Sequence, residues 1–214
     1  MKGDILIIKD HHRKAGRAVT ETLFPRLREA ENIFVITVAG ESGAGKSEIA
    51  AAIAEDLEKR DIRTCIFQQD DFFIYPPKTN ASKRKEDISW VGTQEVKLDL
   101  IDEILLAIRN GVTEIEKPLV IFDEDRITEE HMNLEGTKVI LVEGTYTTLL
   151  TNVDCHVFID RDVNDTRESR KEREREAQDD YLERILMIEH KIIAANKARA
   201  DIIINKDYGI NKPE

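Results

Sequence analysis

The sequence predicts an α/β fold: a three-layer sandwich in which a mostly parallel central sheet is flanked by helices. Three observations carry that expectation. Short runs nearly continuous in Ile, Val, Leu and Phe recur along the chain, as expected of strands covered on both faces. Helical patterns alternate with them, and such alternation implies parallel pairing through crossovers. The first clear strand-to-helix junction is the glycine-rich loop Gly40-Glu41-Ser42-Gly43-Ala44-Gly45-Lys46-Ser47, a complete G-x-x-x-x-G-K-[ST] pattern, which makes the sandwich one of the P-loop NTPase type.

The elements follow in chain order. Asp4–Lys9 reads as a strand and Arg17–Ala30 as a helix interrupted or kinked at Pro25. Both precede the strand before the loop, so residues 1–31 are expected to be an N-terminal extension and residues 32–214 the nucleotide-binding domain. Ile33–Ala39 is the strand that enters the loop, and Ser47–Leu57 is the helix that leaves it, with Ile49, Ile53 and Leu57 at four-residue spacing. Further strands are expected at Ile62–Gln69, Leu119–Phe122, Lys138–Val142, His156–Ile159 and Asp201–Asn205. Ile101, Ile104, Leu105 and Ile108 mark a helix that Gly111 stops. Asp179–Ala200 is a long helix with Leu182, Ile185, Leu186, Ile188, Ile192 and Ile193 on its apolar face. Residues 74–94, with Pro76-Pro77 and a Lys-Arg-Lys cluster at 83–85, read as a long loop, either a lid over a substrate or a solvated connection.

The loop carries the plainest chemistry. Its glycines let backbone N–H groups turn inward on a di- or triphosphate, and the following helix adds positive potential from its N-terminus. Lys46 is expected to reach the β- and γ-phosphates and Ser47 to offer its hydroxyl to Mg²⁺. Downstream, the strand Ile62–Gln69 ends in Asp70-Asp71, and in a parallel sheet ligands sit beyond the carboxyl ends of strands. A carboxylate there can hold Mg²⁺ through water or take the proton of an attacking hydroxyl. Adjacent residues of an extended segment point to opposite faces, so one Asp serves the site and the other the turn. Lys138–Glu143 followed by Gly144 has the form of a Walker B strand, whose acid orients magnesium. Arg161, Arg167, Arg170, Lys171, Arg173 and Arg175 alternate with acids, so residues 161–176 read either as an arginine-bearing lid or as a salt-bridged solvent helix.

Composition excludes other classes. With 214 residues, 41% hydrophobic and 35% charged, the chain can bury the core of one globular α/β domain. No apolar run reaches membrane-spanning length, and the N-terminus lacks a signal-peptide pattern, so a cytoplasmic protein without a membrane partner is expected. The net charge of −11 argues against duplex nucleic acid but not against a small anion. Cys65 and Cys155 sit in apolar runs, and neither they nor the five histidines show metal spacing. Asn205-Lys206-Asp207-Tyr208 departs from a guanine-selecting Asn-Lys-x-Asp element at its last position. The acceptor, the preference for ATP or GTP and the oligomeric state are left open, a homo-oligomer included.

Together Gly40–Ser47, Gln69–Phe73, Val139–Gly144, Phe158–Asp160, Asp165–Arg170 and Ala200–Ile204 form an ordered series that resembles the uridine kinase and phosphoribulokinase family of P-loop kinases over about residues 33–205. The resemblance implies ATP- and Mg²⁺-dependent phosphoryl transfer to the hydroxyl of a small metabolite. It matches Asp70 to the catalytic carboxylate of the family and Arg167 and Arg170 to its lid arginines, with Arg173 beside them. On this reading Asp70, Lys46 and Arg170 are catalytic. Gly40–Ser47, Arg167 and Arg173 bind nucleotide, and Ser47, Asp70 and Glu143 hold the metal. Another small-molecule kinase, such as an adenylylsulfate kinase, and a nucleotide-hydrolysing regulatory ATPase are the alternatives. The departures lie on the nucleoside side. Phe73 stands where uridine kinases carry Tyr, Ile88–Thr93 replaces their Asn-Phe-Asp-His-Pro segment, and Phe122–Arg126 lacks the following His. Uridine is therefore expected to be a poor acceptor, with Trp90, Asp123, Asp125 or Arg126 as candidate replacements.

Overall fold

The computed structural model describes residues 6–173 and 179–211, without the side chains of 172 and 173. The chain runs through helix α1 (Asp10–Glu29), strand β1 (Phe34–Gly40), helix α2 (Lys46–Glu58), strand β2 (Thr64–Gln68), helices α3 (Pro77–Glu86) and α4 (Leu98–Arg109), and strands β3 (Glu114–Ile121) and β4 (Arg126–Asn133). Strands β5 (Val139–Gly144) and β6 (Cys155–Ile159), helices α5 (Arg167–Arg173) and α6 (Asp180–Asn196), and strands β7 (Ile202–Ile204) and β8 (Ile210–Asn211) complete it.

Six strands make the central sheet in the order β2-β5-β1-β6-β7-β8, parallel throughout except for β8. The expected strands around the phosphate loop are all in it. Every residue of β1 and β5 is buried, which is why their sequences show no polar alternation. One core forms where β1 side chains such as Ile36 and Val38 meet α1 and α2; the other forms where Val35 and Ala39 meet α4 and α6. The sandwich therefore has three layers. Strand β1 lies between β5 and β6, so the loop that follows it opens at the carboxyl edge of the sheet with the end of β5 alongside.

Several expectations are corrected. Leu6–Lys9 form no strand, and residues 1–5 lie outside the described residues. Helix α1 begins at Asp10 and runs through Pro25 to Glu29. Its residues Ala15, Val19 and Leu23 enter the same core as β1 and α2. A Cβ on Gly16 would stand 2.9 Å from the Ala52 backbone carbonyl carbon, so the hydrogen of Gly16 sets how closely α1 approaches α2.

Residues 74–94 are not a long loop. They hold α3 and short 3₁₀ turns. The run at Leu119–Phe122 does not join the parallel sheet; it belongs to β3, which pairs antiparallel with β4 in a separate hairpin. Strand β4 has no long apolar run, having only Ile127 and Met132, and this hid the hairpin from the hydrophobic pattern.

Candidate active site

The loop after β1 closes on itself before it meets any ligand. Gly43 has φ 78° and Gly45 φ 94°, in the left-handed region that glycine enters without strain. A Cβ on Gly43 would also stand 2.8 Å from Arg170 Cγ. Gly45 is the N-cap of α2, so the first free N–H groups of that helix point into the loop. Lys46 turns back, and its Nζ donates to the Glu41 carbonyl at 3.0 Å. Ser47 Oγ donates to Glu143 Oε1 at 3.0 Å.

A cavity of about 320 Å³ opens over this loop. Ser42, Gly43, Lys46, Ser47, Asp70, Glu143 and Arg170 line its loop end. These seven residues come from four separate chain segments and were all singled out in the sequence. Asp70 faces the cavity from the 3₁₀ turn Gln69–Phe72, whereas Asp71 points away. Asp71 takes the Lys117 ammonium at 3.0 Å and the Val120 N–H at 3.0 Å, and both carboxylate and ammonium are almost fully buried. The two neighbouring acids are thus divided between the site and the hairpin that flanks it.

Glu143 sits at the end of β5 as expected, and its pKa is raised well above the carboxylate range. Burial is the main cause and the nearby Asp70 charge the next, against the stabilising effects of Lys46 and Ser47. Two acids and a hydroxyl brought together with their charge held at a cost suit a divalent cation, which would relieve both effects. No group of three or more His, Cys, Asp or Glu side chains able to hold a metal occurs among the described residues. Ser47, Asp70 and Glu143 would offer oxygen donors to a cation such as Mg²⁺ that keeps waters and phosphate oxygens in the rest of its shell. Gly144 completes the turn, because a Cβ there would stand 2.2 Å from Gln69 Cβ.

Other expected residues are placed differently. The Glu41 side chain turns from the loop to His190 of α6 in a close hydrogen bond, and Ala44 is buried in the core. Gly40 ends β1 against Ile159. Arg170 is buried and donates to the Val163 carbonyl at 3.0 Å and to Thr166 Oγ1. Arg167 does not line the cavity. It pairs with Glu183 at 2.6 Å with both side chains exposed, so this part of the arginine run behaves as a salt-bridged surface. The Arg173 side chain and residues 174–178, which include Arg175, lie outside the described residues. Of the proposed replacements on the acceptor side, Trp90 is held by donation to Asn80 Oδ1 at 2.9 Å, Arg126 pairs with exposed Glu124, and Asp125 caps α3.

Sequence reasoning marked Phe73 and Phe122 on the acceptor side but missed the other residues of the cavity wall. Phe73, Tyr75, Phe122 and the α6 residues Leu182, Ile185 and Leu186 also line it, and Asn80, Arg84 and Glu189 bring further polar groups. The Leu and Ile residues had been read as an apolar helix face, which they are. A second cavity, about 240 Å³, lies against the other side of the loop at Gly43 and Gly45 and is lined also by His11, His12, Arg161 and Tyr208. The His11 and Tyr208 rings lie 4.1 Å apart, and Arg161 sits 5.2 Å from the Tyr208 ring centre. His12 takes the Lys9 N–H on Nδ1 at 3.1 Å, and its pKa is lowered to about 4, chiefly by burial and then by His11, so it is neutral at pH 7.

Comparison with known proteins gives the same outline. Residues 35–206 match the model of a family described as phosphoribulokinase / uridine kinase. The bifunctional alpha-galactosidase/sucrose kinase AgaSK of Mediterraneibacter gnavus is 29% identical over 195 residues, covering 85% of this chain. The chain spans only 21% of that longer relative. The uridine kinase of Staphylococcus haemolyticus is 27% identical over 194 residues, covering 85% of this chain and 91% of the relative. Among solved structures, phosphoribulokinase from Rhodobacter spheroides superposes with a TM-score of 0.65 at 11% identity, covering 82% of this chain and 71% of that one, a likeness of fold.

Proposed function

Because this chain belongs to the phosphoribulokinase/uridine kinase family of small-molecule phosphotransferases, we propose that it transfers the γ-phosphoryl group of ATP, with Mg²⁺, to a hydroxyl of a small metabolite. The observation that carries this reading is the convergence of Lys46, Ser47, Asp70, Glu143 and Arg170 on one cavity. The loop N–H groups and Lys46 bind the phosphates. Ser47 and Glu143, with Asp70, would hold a divalent metal, which would supply charge neutralisation to the phosphates. Asp70 accepts the proton of the attacking hydroxyl, and Arg170 stabilises the charge on the transferred group.

Gly43 lines both cavities, which supports a nucleotide that runs from one to the other. Asp70 and Glu143 line the first cavity, so the γ-phosphate and the acceptor are assigned there. The base then lies in the second, where the Tyr208 ring and the Arg161 guanidinium offer stacking. The names of the sucrose kinase and uridine kinase relatives each carry a hydroxyl compound, which supports an acceptor of that kind. Uridine itself is expected to be poor, since Phe73 and Phe122 present no hydroxyl to it. A kcat/KM for uridine above about 10⁴ M⁻¹s⁻¹ would show otherwise.

Asp70→Asn tests the mechanism. It keeps the size of the side chain and removes its basicity, so kcat should fall by about 10²-fold or more while the Kd for Mg·ATP changes far less. Near-normal transfer by a folded Asp70→Asn variant would remove Asp70 from the role of base.

A further inference from the structure

We propose that helix α1 is part of the nucleotide site, with His12 donating from Nε2 to the α-phosphate beside the phosphate loop. This rests on the kinase reading above and adds to it a binding residue outside the stretch that the family model matches, residues 35–206.

Helix α1 is fixed against the helix that leaves the loop. The close approach at Gly16 and Ala52 joins the two, and Arg13 and Arg17 stand 3.4 and 3.8 Å from Glu55 and Asp56 of α2. Such exposed pairs contribute little energy, but with the buried Ala15, Val19 and Leu23 they set where α1 lies along α2. The first turn of α1 is thereby brought beside Gly45, the N-cap of α2. A Cβ on Gly45 would stand 3.1 Å from His12 Nε2. His12, Gly43 and Gly45 all line the second cavity.

The neighbours of His12 locate its hydrogen. The residue is 6% exposed, and Nδ1 accepts the Lys9 N–H at 3.1 Å. Burial first and His11 next keep the ring neutral at pH 7. A neutral imidazole whose Nδ1 accepts carries its hydrogen on Nε2. Among the described residues no acceptor takes that N–H. Nor does one take the buried Nε–H of Arg161, whose other nitrogens hold the Tyr208 hydroxyl and the Asp165 carbonyl. Buried donors without acceptors are unfavourable, and an oxygen-rich ligand in this cavity would satisfy them.

Position selects the oxygen. The γ-phosphate is assigned beside Asp70 and Glu143, and the base beside Tyr208. The His12 and Tyr208 ring centres lie 5.3 Å apart, so His12 stands between the loop glycine and the stacking ring. The phosphate between those two places is the one that carries the nucleoside. A hydrogen bond from a neutral N–H to a charged oxygen belongs to the stronger class.

Two substitutions separate this role from a structural one. His12→Asn keeps an acceptor for the Lys9 N–H and lacks a donor at the place of Nε2, whereas His12→Gln keeps that donor and lacks the acceptor. His12→Asn should weaken Mg·ADP by about 10-fold in calorimetry and raise KM for ATP to match, with kcat changed less than about 3-fold. His12→Gln should recover most of that affinity, although its melting temperature falls below that of His12→Asn. In wild-type protein with isotope-labelled histidine, the His12 Nε2 resonance should move on addition of Mg·ADP far more than Nδ1, a readout that needs no variant. An unmoved Nε2 resonance, an unchanged Kd in folded His12→Asn, or equal losses in the two variants would overturn the inference and leave the kinase reading in place. Failure of the folded wild type to bind Mg·ADP and Mg·ATP would overturn both.

Discussion

Asp70 and Asp71 show how one peptide bond separates catalysis from stability. Both acids lie in the 3₁₀ turn after β2, yet Asp70 reaches the cavity while Asp71 is buried beside Lys117. Lys117 is 3% exposed, and Glu130, its other acidic partner, is 38% exposed. Removing Asp71 leaves a buried ammonium largely dependent on that outer partner. Asp71→Ala should therefore lower unfolding stability by about 3 kcal/mol, in the range for breaking a buried pair, and chemical denaturation would measure it. Asp70→Ala should alter stability far less. The pair also states what a sequence can and cannot say at this scale. The sequence reading parted the two carboxylates by alternation along an extended segment, whereas they part within a 3₁₀ turn, and the position of the β3–β4 hairpin decides which one meets a lysine.

At the scale of elements, α3 is the case where local reading failed. Its sequence, Pro77–Glu86, is polar throughout with only Asn80 buried, and the residue before it is a second proline with no side chain to cap the helix. The cap comes from the turn between β3 and β4. Asp125, at φ 46°, accepts the Lys78 N–H at 2.6 Å, the Thr79 N–H at 3.1 Å and the Thr79 hydroxyl at 2.7 Å. A carboxylate here serves the free N–H groups and the positive helix end together. Asp125→Ala should cost about 1–2 kcal/mol by denaturant titration. Because α3 carries Asn80 and Arg84, the same change should raise KM for the acceptor more than the Kd for ATP. An unchanged acceptor KM would mean that α3 holds its place without this cap. Helix α6 reads more easily, since its apolar face is marked by spacing, but nothing in that spacing says that Leu182, Ile185 and Leu186 border a cavity.

For the whole molecule, the site is an electrostatic balance drawn from four parts of the chain, and pH exposes it. Burial and the Asp70 charge raise the Glu143 pKa, so without nucleotide Glu143 binds its proton at a higher pH than an ordinary carboxylate does. Adding Mg²⁺ beside it favours the carboxylate and lowers that pKa. Binding of Mg·ATP should thus release a proton as the pH passes through the interval between the two values. Calorimetry in buffers of different ionisation enthalpy should detect it near pH 6–7 for the wild type and find it reduced in Glu143→Gln. Equal proton release by the two proteins would exclude Glu143 as its source. For the same group, the raised folded pKa means that the free protein gains stability from protonation below that pKa and loses the gain as pH rises through it.

The sequence by itself determined the parallel sheet, the phosphate loop with Lys46 and Ser47, and the acids that end β2 and β5. Each is written locally: apolar runs fix buried strands, glycines fix the loop, and the carboxyl end of a parallel strand fixes where a ligand-facing acid can stand. The tertiary structure decided what those residues face. It turned Arg167 to Glu183 and left Arg170 at the cavity, joined α1 to the core through Gly16, and set Arg84 between Glu95 and Glu189, which are 11 and 105 residues away along the chain. The physical reason is that charge pairing and cavity shape depend on distance through space. Segments with little apolar periodicity, such as α3 and β4, take their places from partners remote in sequence, and no local pattern records those partners.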